Sequence, residues 1–142
     1  MRDENCIFCK IAAGEIPSAT LYEDGDFRAI LDLGPASKGH TLILPKQHSR
    51  DLTQLPESEA AKVLPLAGKI GAALCSALGA DGFNVVQNNG AAAGQTVPHF
   101  HLHIIPRYEG GENIVSWTPG SLSEDDRDMI VSKVSGILAS KG

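Results

Sequence analysis

The sequence predicts an α+β fold: an antiparallel sheet of about five strands, one main helix and a C-terminal helix. Three observations indicate it. Short apolar runs are bounded by turn residues, as in strands. A long segment beginning at residue 55 has the apolar period of a helix. Histidines alternate with apolar residues from position 99, as on the two faces of a strand. The 142 residues fit a single domain, 1–142, with one core.

Composition and charge narrow the class of protein. The hydrophobic content of 42% and charged content of 20% are typical of soluble globular proteins, and no uninterrupted apolar run reaches a membrane span. The polar start, 1–5, is not followed by an apolar signal core, so we expect a cytoplasmic protein without a membrane partner. A net charge of −5 without a basic run argues against nucleic-acid polymers but allows a mononucleotide.

Three strands are predicted before the main helix and one directly after it. The first three, 19–22, 27–31 and 40–44, are separated by turn-forming residues at 23–26 and 34–39, which predicts an antiparallel meander. A fourth strand covers 83–87, after the helix. Asp32 follows the second strand, where a carboxylate commonly helps to form the turn.

The segment 55–78 is predicted to be the main helix, because its apolar residues share one helical face: Val63, Leu66, Ala67, Ile70, Leu74, Ala77 and Leu78. Pro56 suits a first turn, whereas Pro65 predicts a bend near Val63 or a division in two. Gly79 or Gly82 is expected to cap the end. Cys75 lies beside the apolar stripe and is interpreted as a packing residue.

A terminal helix is expected at the edge of the sheet. Residues 123–126 have the pattern of a capped helix start, and the residues that follow repeat with a helical period: Ile130, Val134, Ile137 and Leu138. The segment between, 107–122, has no clear period.

The histidine-rich stretch is the most informative part of the chain. In a strand from 99 to 105, one face would carry His99, His101 and His103, and the other Phe100, Leu102 and Ile104. Pro98 has no N–H, so the strand must start there or be an edge at that point, and Pro106-Arg107 should end it. Three imidazoles along one groove suit a phosphate chain as well as a metal.

The loop 88–97 leads into the histidines. Its glycines and alanines, 90–94, would let the backbone approach a phosphate, although a plain flexible connection has the same composition. Gln95 and Thr96 place neutral hydrogen-bond donors just before the histidines. The neighbouring histidines favour the phosphate-binding interpretation.

Cys6 and Cys9 form a CxxC motif near the N-terminus. Such a pair can be a redox site, half of a zinc site or two packed cysteines. A redox motif should lie in a βαβ unit, and only a short polar segment precedes this one. Zinc would need two further ligands, and because the chain has no second CxxC, histidines would have to supply them.

The segment His99-Phe100-His101-Leu102-His103-Ile104-Ile105 fits the pattern His-φ-His-φ-His-φ-φ, where φ is apolar. The chain therefore resembles the histidine triad (HIT) superfamily of nucleotide hydrolases and transferases, and 6–17, 32–48 and 88–96 also follow the family order. The resemblance implies a symmetric homodimer that cleaves a purine nucleotide at its α-phosphate and releases a nucleoside monophosphate. It makes His101 the nucleophile, supported by His99, His103 and, for ring orientation, His40.

The resemblance also assigns binding residues. Asp32 would bind the ribose hydroxyls, and Asn88, Gln95 and Thr96 the phosphate side of the site. The purine would lie against apolar residues, some of which are expected only to pack in the core: Ile7, Phe8, Ile11, Ile16, Ile30 and Leu33. Some members bind structural zinc through residues that correspond to Cys6, Cys9, His48 and His99.

Two alternatives to a nucleotide hydrolase are a zinc hydrolase that uses the triad histidines as metal ligands, and a nucleotide-binding adaptor without useful turnover. Within the family, the subgroup signals disagree. Pro106-Arg107 resembles the dinucleoside polyphosphate hydrolases, whereas Trp117-Thr118-Pro119-Gly120 resembles the tail of the nucleoside phosphoramidases. The substrate is therefore left open between these two classes.

Overall fold

The structure is a computed structural model that describes residues 2–141, with side chains to Ser140. It contains one five-stranded antiparallel sheet in the order β1-β2-β3-β5-β4. In chain order the elements are α1 (Ile7–Ala12), β1 (Thr20–Glu23), β2 (Phe27–Leu31), β3 (Thr41–Pro45), α2 (Glu57–Leu78), β4 (Gly82–Val86), a 3-10 turn (Ala91–Ala93), β5 (Leu102–Arg107) and α3 (Glu124–Lys141). The predicted α+β class and the β1-β2-β3 meander are confirmed.

The two faces of the sheet are covered by different helices. The larger core lies under α2, where strand residues such as Phe27, Ile43 and Ile104 pack against Val63 and Ile70. A smaller cluster on β2 and β3, with Ile30, Leu42 and Leu44, is covered from α1 by Phe8 and Ile11. The predicted alternation in the histidine stretch holds for packing, because Phe100, Leu102 and Ile104 are all buried in the α2 core.

Helix α1 is absent from the sequence-based prediction. Cys6 is its N-cap residue, and its sulfur accepts a hydrogen bond from the backbone N–H of Cys9. A cysteine that acts as a cap is an unusual start signal, since serine, threonine, aspartate and asparagine are the usual caps. The helix also has only six residues, too few to show a period.

Helix α2 is one continuous helix from Glu57 to Leu78, so the predicted division in two did not occur, whereas the bend predicted near Val63 stays a prediction. Pro65 removes one intrahelical hydrogen bond, but Pro65 and Ala61 are both exposed, so water can satisfy the Ala61 carbonyl. The predicted cap is confirmed at Gly79, whose φ of 70° is the left-handed conformation that favours glycine. By length and mean hydropathy, α2 is the one described helix able to cross a membrane, but its buried face packs in the core.

Helix α3 begins at Glu124, with the Ser123 hydroxyl accepting from the Asp126 N–H, as the capping pattern predicts. Its expected position at the sheet edge is wrong. Every residue from 121 to 140 is exposed, so the helix extends away from the body of its own chain. Helical period alone defines an apolar stripe and carries no information about what that stripe contacts.

Candidate active site and metal centre

The segment that carries the histidines is only partly a strand. β5 begins at Leu102 and continues through Pro106 to Arg107, so the prediction of a strand from 99 to 105 is corrected at both ends. Before Leu102 the backbone bends: the His99 N–H donates to the Val97 carbonyl, and the Phe100 N–H donates to the Ser49 carbonyl. These bonds replace ladder pairing and turn His99 away from the other two histidines.

His99 is fully buried and directs its two ring nitrogens to different partners. Its Nε2 lies 2.9 Å from the carbonyl oxygen of Pro45, and because a carbonyl can only accept, Nε2 carries the hydrogen. The unprotonated Nδ1 faces two sulfurs, at 3.4 Å from Cys6 Sγ and 3.5 Å from Cys9 Sγ. A lone pair directed at two cysteine sulfurs suits a metal ion shared by the three side chains.

The fourth ligand of this cluster is His48, whose Nδ1 lies 3.4 Å from Cys9 Sγ. Zinc–sulfur and zinc–nitrogen bonds of about 2.3 and 2.0 Å at tetrahedral angles place sulfur and nitrogen about 3.5 Å apart. The observed sulfur–nitrogen distances of 3.4 to 3.5 Å fit that geometry. Backbone N–H groups of Asp3 and Cys9 also point at the two sulfurs, where they would stabilise thiolates. The four residues therefore fit a closed structural zinc site.

His101 is held in one tautomer by the backbone. Its Nδ1 lies 2.7 Å from the carbonyl oxygen of His99, so Nδ1 is protonated and Nε2 has a free lone pair. The Phe8 ring packs edge-on against His101, with centroids 5.0 Å apart. The carbonyl that fixes His101 belongs to His99, whose ring faces the cysteines. The candidate zinc site and His101 are thus joined through one residue.

A chain of three groups fixes the tautomer of His103. The backbone N–H of Ala36 donates to His40 Nδ1 at 3.0 Å, so neutral His40 carries its hydrogen on Nε2. That Nε2 lies 2.9 Å from His103 Nδ1 and donates to it. Neutral His103 therefore has its own hydrogen on Nε2, where no described residue accepts it. The site pairs a lone pair on His101 with an N–H donor on His103, with rings 5.0 Å apart.

Burial keeps these imidazoles neutral. It lowers the pKa of His99 and of His103 to about 4. It also lowers the pKa of His101, against the opposing effects of the hydrogen bond to the His99 carbonyl and of Asp32, and the pKa of His40, against Asp32 alone. A neutral His101 keeps its lone pair on Nε2, which a protonated ring would lack. The structure thus holds the site in a form suited to neutral pH.

The lowered pKa of His103 predicts acid destabilisation. The unfolded chain binds a proton at His103 below an ordinary pKa of 6.5, whereas the folded chain resists it down to about 4. The contribution of His103 to the unfolding free energy is therefore fully present above pH 6.5, and it is lost as the pH falls toward 4. Between pH 7 and pH 5 the unfolding free energy of the wild type should fall by about 1 to 2 kcal/mol more than that of His103→Gln, as measured by urea titrations. Equal losses in the two proteins would contradict this.

Asp32 forms the turn that the sequence predicts, and its ribose-binding role stays a prediction. Its Oδ1 accepts the Gly34 N–H at 2.8 Å, which forms the turn, while Oδ2 lies 3.7 Å from His40 Nε2 at the edge of the histidine group. Asp32, His40 and His103 lie close enough to hold a metal, but the His40–His103 hydrogen bond occupies the facing nitrogens. Asn88 packs beside Gly94, and its side-chain amide has no hydrogen bond within the described residues. That amide is free for a ligand.

Gln95 differs from the expectation that it faces a phosphate. Its Nε2 donates to the carbonyls of Arg50 and Val97, and its Oε1 accepts the Gly90 N–H. The amide therefore holds the loop in shape, and both of its hydrogens are used. Thr96 is exposed, its hydroxyl has no partner among the described residues, and it lines the cleft of about 580 Å³ beside Cys6 and Ile7.

The predicted base-binding residues separate into two groups. Phe8, Ile11 and Ile30 meet in the apolar cluster under the histidines. Ile7 and Leu33 are 52% and 89% exposed, and Ile16 is half-buried. Leu33 directly follows Asp32 in the chain, and its side chain is exposed. Ile16 and Leu33 lie outside the apolar cluster that Phe8, Ile11 and Ile30 form.

Comparison with known proteins decides the family. The model of the HIT domain matches residues 13–110. The chain belongs to the HIT family. Two relatives illustrate its range. An uncharacterised HIT-like protein of Methanocaldococcus jannaschii is 44% identical, covering 92% of this chain and 99% of the relative. The adenosine 5'-monophosphoramidase hnt1 of Schizosaccharomyces pombe is 45% identical, covering 72% and 74%.

Solved structures agree with the fold of this HIT-family chain. A Streptococcus mutans crystal structure superposes with a TM-score of 0.90 at 38% identity, covering 96% of this chain and 87% of that one. The uncovered 4% is shorter than the 18-residue helix α3, so the alignment includes part of that helix. A Zn-bound histidine triad protein of Mycobacterium smegmatis has a TM-score of 0.73 at 36% identity, covering 96% and 97%.

The groups that sequence reasoning missed in this HIT-family site are backbone atoms. The carbonyls of Pro45 and His99 and the N–H of Ala36 set the tautomers of His99, His101 and His40. Every residue supplies such atoms, so no residue type marks them. The contact of Phe8 with His101 is also missing from the prediction, although CxxC followed by an apolar helix turn is a signal that could have placed it.

Proposed function

We propose that the protein hydrolyses adenosine 5'-phosphoramidates through a nucleotidyl intermediate on His101, releasing AMP. The observation that carries this proposal is the hydrogen bond from His101 Nδ1 to the His99 carbonyl, which leaves Nε2 as a fixed, unprotonated nucleophile. The phosphoramidase named among the relatives favours a phosphoramidate over a dinucleoside polyphosphate. Pro106-Arg107, the sequence signal for the other substrate class, lies within β5.

In the first step, His101 Nε2 forms a bond to the α-phosphorus while the bond from phosphorus to the substrate nitrogen breaks. The leaving amine takes a proton from solvent. The modified ring carries a positive charge, which the Nδ1–H bond to the His99 carbonyl stabilises. Water then attacks the phosphorus, the ring recovers its lone pair, and the water's proton goes to solvent. One difficult displacement is replaced by two easier ones.

His103 is proposed to stabilise charge on the phosphoryl oxygens through its Nε2–H. It holds a single hydrogen, and so does His40, because the Ala36 N–H occupies His40 Nδ1. Neither ring can donate its hydrogen completely without becoming an imidazolate. The pair therefore acts as a hydrogen-bond donor, with Thr96 and Asn88 as further donors, Gln95 as the brace of the loop, and Asp32 as acceptor for the ribose hydroxyls.

The purine is proposed to bind near Leu33, Phe8, Ile11, Ile16, Ile30 and Ile7, with the buried members forming its floor. The clearest test is AMP release from adenosine 5'-phosphoramidate, followed by chromatography, with diadenosine tetraphosphate as comparison. Preference for the tetraphosphate would change the substrate class. Tight AMP binding with no turnover of either compound would favour the adaptor alternative.

The zinc-hydrolase alternative is disfavoured by the placement of His99. Its Nε2 donates to Pro45 and its Nδ1 faces the cysteines, so the three triad histidines cannot converge on one ion. Because the four-ligand site leaves no position open, we propose that zinc is structural. A symmetric homodimer and a cytoplasmic location are further proposals. Sedimentation at micromolar concentration giving only the 15.0 kDa chain would contradict the dimer.

His40 is proposed to be a positioning residue that keeps His103 in its donor tautomer. His40→Phe removes the hydrogen that His103 Nδ1 accepts, so we expect kcat to fall about 10- to 100-fold with a smaller change in KM. His40→Gln can place an amide N–H near the same point and should recover part of the loss. Equal losses in the two variants, with unchanged melting temperatures, would argue against the tautomer role.

A further inference from the structure

A groove lies on the side of the sheet covered by α2, and none of its lining residues belongs to the proposed active site. Its volume is about 700 Å³, and it runs between α2 and the edge strand β1. The floor is apolar, with Leu66, Ile70 and Leu74. Along α2 the rim carries small exposed residues, among them Ala73 and Ala77, that would let another helix approach closely.

Helix α3 presents the opposite kind of surface. Five of its apolar side chains are 45 to 65% exposed and share one helical face: Ile130, Val131, Val134, Ile137 and Leu138. A helix of this type is normally stabilised by burying such a stripe. The body of its own chain does not cover it, because every residue from 121 to 140 is exposed.

We propose that α3 of one chain docks into the groove of a second copy, and that the second copy's α3 docks reciprocally. The dimensions agree: the apolar part of α3 is about 14 Å long, and the groove follows α2 for about 24 Å. Charge agrees as well. The first turn of α3 carries Glu124, Asp125 and Asp126, while the groove is lined by Lys62, Lys69 and a single carboxylate, Asp24. Lys62 already pairs with Asp26, whereas Lys69 has no ion pair among the described residues.

A second copy is favoured over the same chain because α3 lies clear of its own groove. The alignment with the Streptococcus mutans crystal structure covers 96% of this chain and therefore extends into α3. Each chain supplies one groove and one α3 helix, so a two-fold symmetric exchange fills both grooves and buries both helices. This inference adds a specific contact to the proposed homodimer and does not depend on the nucleotide chemistry.

Cysteine cross-linking tests the exchange. In a Cys75→Ala background, protein with Ala73→Cys is mixed with protein with Val134→Cys, and the mixture is oxidised. We expect a linked pair of about 30 kDa, twice the 15.0 kDa chain. Ser132→Cys, on the opposite face of α3, is the control and should not link. A protein that carries Ala73→Cys and Val134→Cys together and links within a single chain would overturn the proposal, as would a mixture that fails to link.

A second measurement does not depend on cysteine geometry. Val134→Glu places a charge on the apolar stripe and should raise the dissociation constant of the dimer at least tenfold, whereas Ser132→Glu should leave it unchanged. An unchanged constant in Val134→Glu would overturn the helix exchange while leaving a dimer through another surface. A wild type that is monomeric would overturn the exchange and the dimer together, and neither result bears on AMP release.

Discussion

His101→Ala should lower the turnover of adenosine 5'-phosphoramidate about 10⁴-fold or more, because it removes the group that forms the bond to phosphorus. His101 is 6% exposed, so the melting temperature of the variant must be measured beside its rate. His101→Gly with added imidazole is the matched control. A nucleophile that diffuses into the vacated space should restore part of the activity, whereas it cannot repair a misfolded protein.

The intermediate gives a second readout of the same prediction. Rapid acid-free quenching of the wild type during turnover, followed by peptide mapping, should find an added nucleoside monophosphate on the peptide that contains His101. The fixed tautomer makes Nε2 the modified atom, since Nδ1 donates to the His99 carbonyl. An adduct on His99 or His103, or near-normal turnover in His101→Ala, would overturn the assignment.

Substituting both cysteines of the metal centre is expected to have the largest effect on stability. Cys6→Ser with Cys9→Ser should reduce bound zinc from about one ion per chain to near zero and cost several kcal/mol of unfolding free energy. The ligands come from α1, the loop after β3 and the segment before β5, so the ion would connect three parts of the chain. Cys75→Ser is the control, since this half-buried cysteine lies outside the cluster. Unchanged zinc in the double variant would remove the proposal.

Zinc loss should also reduce turnover, through His99. Its Nδ1 would bind the ion and its carbonyl holds His101, so loosening the cysteines releases the group that fixes the nucleophile. We expect kcat to fall more than KM rises in the double variant, in contrast to the direct loss in His101→Ala. Full activity in a stable, zinc-free protein would show that the carbonyl is held by the bends at Val97 and Ser49 alone.

Local pattern predicted much of the fold. β2 was placed at the observed residues, β1, β3 and β4 within one residue, and the cap at Gly79 follows from its place after the last apolar residue of α2. Side-chain direction repeats every 2.0 or 3.6 residues along the chain, so neighbouring positions suffice to identify such elements. Helix α1 was not predicted, because a six-residue helix with a cysteine cap shows neither a helical period nor a usual start signal.

The sequence by itself determined that histidines alternate with buried residues, that a cysteine pair lacks its own partner pair, and that α3 has an apolar stripe. Only the tertiary structure decided what those residues meet. It places His99 beside Cys6, 93 positions away in the chain, and it pairs the Gln95 amide with loop carbonyls. It also fixes three imidazole tautomers through backbone atoms and leaves α3 uncovered by its own chain. Residue type records which hydrogen bonds a side chain can make, and the partner depends on contacts between segments far apart in the chain.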